Sequence, residues 1–164
     1  MQNLIISRMT KEDLEGVFEV EKDAFPIPWP ISSFEEELKN MLATFLVAKI
    51  EEKIVGYIGC WFVMDECHIA NIAVSPNYRN QGIATQLVNE LFKYCKEHET
   101  TYVMLEVRIS NIPAQKLYTK LGFKDEVLRK NYYRNPDGTR EDAIVMSMEF
   151  NNNNSYYETK HNSY

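Results

Sequence analysis

Two hydrophobic rhythms alternate along this chain. A period of two, or a short apolar run rich in β-branched and aromatic residues, marks strands. Such stretches cover Leu4-Ile5-Ile6 and residues 44–50, 54–63, 66–74, 102–107, 124–133 and 140–149. Helical spacing appears between them. Thr10 and Asp13 make a capping-box start for a helix carrying Leu14, Val17, Phe18 and Glu21. The proline-rich loop from Phe25 to Pro30 breaks it, and Ser32 or Ser33 opens another helix to about Asn40. Leu87, Val88, Leu91, Phe92 and Cys95 predict a long amphipathic helix over 81–99. Asn111 is the N-cap of a short helix, with Pro113 in its first turn and Gly122 as its stop. Strand pairs are joined by the charged turn Glu51-Glu52-Lys53 and by Asn135-Pro136-Asp137-Gly138. The order predicts a mixed α/β fold, one domain over residues 1–150 without repeats. Residues 151–164 have no apolar period, and their Asn-rich, polar composition predicts a flexible tail.

Composition narrows the class without finding the chemistry. With 164 residues and 45% hydrophobic positions, the chain can bury one sizeable core. Eighteen basic against twenty-four acidic residues give a net charge of −6, which argues against a nucleic-acid surface and weakly suits a basic peptide. The longest apolar runs fall short of a membrane span, and the start lacks the pattern of a signal peptide, so a cytoplasmic protein is expected. Cys60, Cys67 and Cys95 are an odd number without metal-type spacing, so they read as small buried hydrophobes and no metal site is expected. His68, His98 and His161 read as ordinary structural or surface residues.

Two segments carry chemistry. Tyr102-Val103-Met104-Leu105-Glu106-Val107 is a strand bearing a carboxylate, followed by a turn and a helix bearing Tyr118. A Glu near a strand's end and a Tyr on the next helix can converge on one cleft, offering a base and an acid without metal or nucleophile. Upstream, Ile69-Ala70-Asn71-Ile72-Ala73-Val74 leads into Arg79-Asn80-Gln81-Gly82-Ile83-Ala84-Thr85 and the long helix. Strand, Gly-containing turn and helix N-terminus make an anion site, because unpaired N–H groups point outward there. Arg79 adds a charge-assisted contact to phosphate. Neither the Walker loop nor the Rossmann fingerprint is present.

The stretches "NIAVSPNYRNQGIA", "LEVRISNIPAQKLYTKLGF" and "RKNYYRNPDGTREDAIVM", in that order, resemble the GNAT acetyltransferases over roughly residues 4–150. The likeness is greatest to the branch that acetylates the N-terminal alanine of a ribosomal protein. It implies a mostly antiparallel mixed sheet of about seven strands, helices on both faces and a V-shaped splay at the acetyl-CoA site. It implies acetyl-CoA as co-substrate: pyrophosphate on the backbone of Gln81, Gly82, Ile83, Ala84 and Thr85 with Arg79 and Asn80, and pantetheine along Ile72, Ala73 and Val74 with Asn111. Glu106 would be the base and Tyr118 the acid for direct attack by an α-amine. Phe25, Pro26, Trp29, Asn71, Tyr132 and Tyr133 would line the path of a protein N-terminus, a ribosomal protein being the implied partner. The chain departs from the family pattern at Ala84 and Asn80, where a Gly and a second basic residue are common.

Each residue also has a plainer reading. Glu106 could pair with Arg108, Tyr118 could be core, Asn111 a cap alone and Trp29 loop packing. Tyr132 and Tyr133 alternate on a strand, so only one is expected to face the cleft. A lysine or small-amine acetyltransferase, or a non-catalytic acyl-CoA-binding module, are the alternatives; the module would have no need of Glu106 and Tyr118 in register.

Overall fold

In a computed structural model that describes residues 3–151, seven strands form one sheet. They are Leu4–Arg8 (β1), Ala43–Ile50 (β2), Lys53–Val63 (β3), Glu66–Val74 (β4), Tyr102–Arg108 (β5), Lys124–Arg134 (β6) and Arg140–Glu149 (β7). The helices are Leu14–Ala24 (α1), Ile31–Lys39 (α2), Ile83–Glu97 (α3) and Ile112–Lys120 (α4). The long helix is therefore shorter at both ends than its apolar pattern predicts. Gly82 occupies the N-cap position in a left-handed conformation, at φ 79°, and Glu99, at φ 54°, lies past the helix end. Of the tail read over residues 151–164, residues 152–164 lie outside the described residues.

The strand order is β1-β2-β3-β4-β5-β7-β6. Every neighbouring pair is antiparallel except β4–β5, the pair that α3 links as a crossover. The β2–β3 hairpin turns on Glu51 and Glu52, both at positive φ, a backbone that follows the twist of the flanking strands.

Period-two alternation sorts side chains into two cores, one on each face. Leu46, Ala48, Leu105 and Val107 pack with Ile83, Leu87, Leu91 of α3 and Tyr118 of α4. Phe45, Val47, Tyr57 and Ala73 pack with Leu14 and Val17 of α1 and Phe34 of α2. Phe34 meets Tyr57 edge-on, ring centroids 5.4 Å apart.

The parallel pair β4–β5 does not run its full length. Its register extends only from Glu66 opposite Tyr102 to Ile69 opposite Leu105. At that point β4 is bulged: Cys60 faces Ile69 and Gly59 faces Asn71, leaving Ala70 without an opposite residue. A bulge bends its strand, and here it turns β4 away from β5. Beyond it, residues 71–74 pair with β3 alone and residues 106–108 with β7 alone. The sheet opens as a V, and all the candidate chemistry lies around that opening.

Candidate active site

Alternation along β5 sends Leu105 and Val107 into the α3/α4 core, so Glu106 faces the opposite side. Tyr118 comes from α4, on the first side. Both nevertheless line one cavity of about 590 Å³, because the opening lets the two faces meet. A second cavity, of about 760 Å³, lies along β4 and the start of α3. Phe25, Ile72, Asn111 and Tyr118 line both.

The Glu106 side chain is 8% exposed. His68 Nε2 lies 2.6 Å from its Oε2, and Arg129 Nη1 lies 3.7 Å from its Oε1. His68 pairs with Met104 across β4–β5, so Glu106 is its diagonal neighbour on the same face. The sequence reading of His68 as a structural or surface residue does not anticipate this contact. Arg108, offered as a structural partner for Glu106, is committed elsewhere. Its guanidinium donates to Glu141 at 2.6 Å, Asn135 at 2.8 Å and the carbonyl of Arg134 at 3.1 Å, and lies 4.6 Å over the Tyr133 ring.

Tyr118 is 6% exposed, and its ring meets Phe123 edge-on at 5.9 Å. Burial, helped by the nearby Tyr133 phenol, pushes its hydroxyl well above the usual phenol range. It therefore holds its proton at neutral pH, as a general acid must.

Tyr132 and Tyr133 both line the first cavity, against the expectation that alternation would admit one. Between Arg129 opposite Ala143 and Tyr133 opposite Glu141, β6 spends four steps against two on β7, with Asn131 at φ 54°. That irregularity breaks the alternation and stacks the rings edge-on, 4.9 Å apart. Phe25, Pro26, Trp29 and Asn71 line the same cavity.

The second cavity collects Ile72, Ala73, Val74, Arg79, Asn80, Gly82, Ile83, Ala84, Thr85 and Asn111; Gln81 does not line it. The Ser75 N–H bonds back to Val55 of β3 at 2.8 Å, so alternation turns the polar backbone groups of Ile72 and Val74 towards the opening. Consistent with this, Arg79 Nε donates to the Val74 carbonyl at 3.2 Å. The first-turn N–H groups of α3 have no intrahelical acceptors, and Gly82, Ile83, Ala84 and Thr85 line this cavity. Asn111 caps α4, its Oδ1 accepting from Ala114 N at 3.2 Å. The cap uses only the oxygen, leaving Nδ2 as a donor.

One buried group was not singled out from sequence. Glu21, 1% exposed, is in the lining of the first cavity among Tyr57, Asn71 and the backbone of Trp29. A carboxylate on the apolar stripe with Leu14 and Val17 was the available signal. His68 had no such signal, since its meeting with Glu106 depends on the β4–β5 register.

Comparison with known proteins agrees with this geometry. Residues 14–123 match the acetyltransferase (GNAT) family. A putative [ribosomal protein bS18]-alanine N-acetyltransferase of Bacillus subtilis is 40% identical, over 89% of this chain and 95% of its own length. The Haemophilus influenzae [ribosomal protein bS18]-alanine N-acetyltransferase is 39% identical, over 87% of this chain and 97% of its own. The crystal structure of the Escherichia coli ribosomal-protein-S18-alanine N-acetyltransferase superposes with a TM-score of 0.82 at 32% identity, covering 90% of this chain and 94% of that one.

Proposed function

We propose that this chain, which belongs to the GNAT acetyltransferase family, moves acetyl from acetyl-CoA to the N-terminal alanine of ribosomal protein bS18 in the cytoplasm. The observation that carries the reading is the meeting of Glu106 and Tyr118, from opposite faces of the sheet, at the opening between β4 and β5. The relatives, similar over nearly their whole length, support the acceptor.

In this reading the acetyl-CoA pyrophosphate lies on the N–H groups at the start of α3, near Arg79, and the pantetheine arm follows Ile72, Ala73 and Val74 with Asn111. An α-amine has an unperturbed pKa of about 7.7–8.0, so much of it is protonated at neutral pH. Glu106, held by His68, takes that proton. The amine nitrogen then attacks the thioester carbonyl carbon, and an N–H of the Ile72–Val74 stretch stabilises the oxyanion. As the carbon–sulfur bond breaks, Tyr118 gives its proton to the departing thiolate, and the second proton that the nitrogen sheds on becoming an amide returns, through solvent, to the phenolate. The acceptor enters between the Phe25–Trp29 loop and the Tyr132-Tyr133 pair. A lysine, with an unperturbed pKa near 10.4, would be harder to deprotonate in the same site.

The test is thiol release from acetyl-CoA with a peptide carrying the bS18 N-terminus. Glu106→Gln should lower kcat by roughly a hundredfold or more, the usual share of a general base, with CoA binding retained. Binding of CoA without transfer to any N-terminal peptide would overturn the reading; transfer to lysine peptides alone would move the acceptor, and no transfer at all would leave a binding module.

A further inference from the structure

Glu21, nearly fully buried, is in the lining of the acceptor cavity, and its carboxylate is surrounded by donors. It accepts from Trp29 N at 3.0 Å, from Asn71 Nδ2 at 3.2 and 3.3 Å, and from the Tyr57 hydroxyl. These partners are all neutral. A carboxylate that only accepts is ionised, and burying it without a cation is costly. Burial raises its carboxyl above the usual range, against the opposing pull of these same hydrogen bonds. Packing alone would be better served by an apolar side chain.

The network has a fixed polarity. Tyr57 spends its only proton on Glu21, so its oxygen can only accept. Asn71 Nδ2 supplies that bond at 2.7 Å. An Asn71 amide turned the other way would set its oxygen against both the carboxylate and the Tyr57 oxygen. Its Oδ1 must therefore point away from Glu21. Asn71 lines the acceptor cavity, and among the described residues its Oδ1 has no hydrogen-bond partner and no atom of this kind is fully buried unpaired. The same carboxylate holds the backbone of Trp29, on the cavity wall.

We propose that Glu21 is a positioning residue for the acceptor: through Tyr57 it locks Asn71 Oδ1 towards the cavity, where it accepts an N–H from the acceptor's first residue. The inference rests on the N-terminal acetyltransferase reading and adds a specificity device to it. A ligand without an N–H donor at that place would leave the locked oxygen unpaired.

Steady-state kinetics with the bS18 N-terminal peptide, on the full chain, test it. Glu21→Gln keeps the shape but makes position 21 a donor as well as an acceptor, so the Asn71 amide is no longer held one way. The peptide KM should rise about tenfold, the worth of roughly one hydrogen bond, while the acetyl-CoA KM stays within about twofold. Glu21→Gln combined with Asn71→Asp exchanges carboxylate and amide. Tyr57 and residue 21 then donate to residue 71, whose second oxygen again faces the cavity, so peptide KM should return to within about threefold of wild type. A general packing defect would move both substrates and would not be repaired by the exchange. An unchanged peptide KM in the single variant, or an exchange no better than it, overturns the inference alone. Absence of turnover by the wild-type chain overturns the acetyltransferase reading, and this inference with it.

Discussion

At the scale of single residues, the two halves of the site rest on different kinds of constraint. Gly82 is held by backbone alone: it sits at φ 79°, and a Cβ built on it would meet nothing within 4 Å. Gly59 is held by space, since a Cβ there would come within 2.1 Å of the Phe45 ring. The distinction predicts the outcome of Gly82→Ala. A left-handed conformation costs an L-residue about 1–2 kcal/mol, and here that cost falls on the turn presenting the first N–H groups of α3. Calorimetry should find CoA binding weakened by roughly five- to thirtyfold, the same energy expressed as a ratio. Thermal unfolding should still be cooperative, since no neighbouring atom is displaced. Undiminished CoA affinity would show that the turn relaxes freely and does not shape the phosphate site.

At the scale of elements, the decisive features are two irregular strands. The bulge at Ala70 separates β4 from β5, and the extra residues of β6 bring Tyr132 and Tyr133 to the same wall. Neither was legible from the sequence. A period-two pattern gives a strand's existence and its faces, and it located all seven strands here, but a bulge is a relation between two strands. The same reason hid His68, whose contact with Glu106 depends on register across a parallel pair. Glu106, Tyr118 and the turn before α3 were legible because each is fixed by local chemistry: a strand end, a short capped helix, a glycine at positive φ. The β6–β7 wall is itself held by Arg108, which ties the end of β5 to Glu141, Asn135 and the Arg134 carbonyl and covers Tyr133. Arg108→Met should leave this wall free to move. Losing these charge-assisted bonds should cost about 1–3 kcal/mol. Hydrogen exchange should quicken across residues 131–141, and peptide KM should rise while acetyl-CoA KM holds. Equal damage to both substrates would mean that Arg108 supports the whole sheet instead.

At the scale of the whole molecule, pH separates groups that stabilise the fold from one that serves the site. Arg108 beside Glu141 holds that carboxyl below the usual range. Burial pushes Asp13 up, but Lys49 at 2.7 Å and the Thr10 N–H pull it lower still, to a net depression. A depressed carboxyl contributes stability above its ordinary pKa and loses it as pH falls through the folded value. Acid unfolding should therefore begin below the ordinary carboxylate range, and Lys49→Met should move it to higher pH. Glu21 has the opposite sign. Its folded pKa is raised, so the folded state holds the proton more tightly than the unfolded chain. Its contribution is complete below the ordinary value of 4.5 and is lost as pH rises through the folded one. Glu21→Gln removes that slope. Denaturant unfolding followed from acid to neutral pH should show the variant gaining on wild type as pH rises. A chain that becomes relatively more stable while its peptide KM worsens cannot owe that loss to a weakened fold. If the variant instead falls further behind as pH rises, the ionised carboxylate is supporting the fold, and the purpose assigned to its burial at the acceptor cavity is wrong.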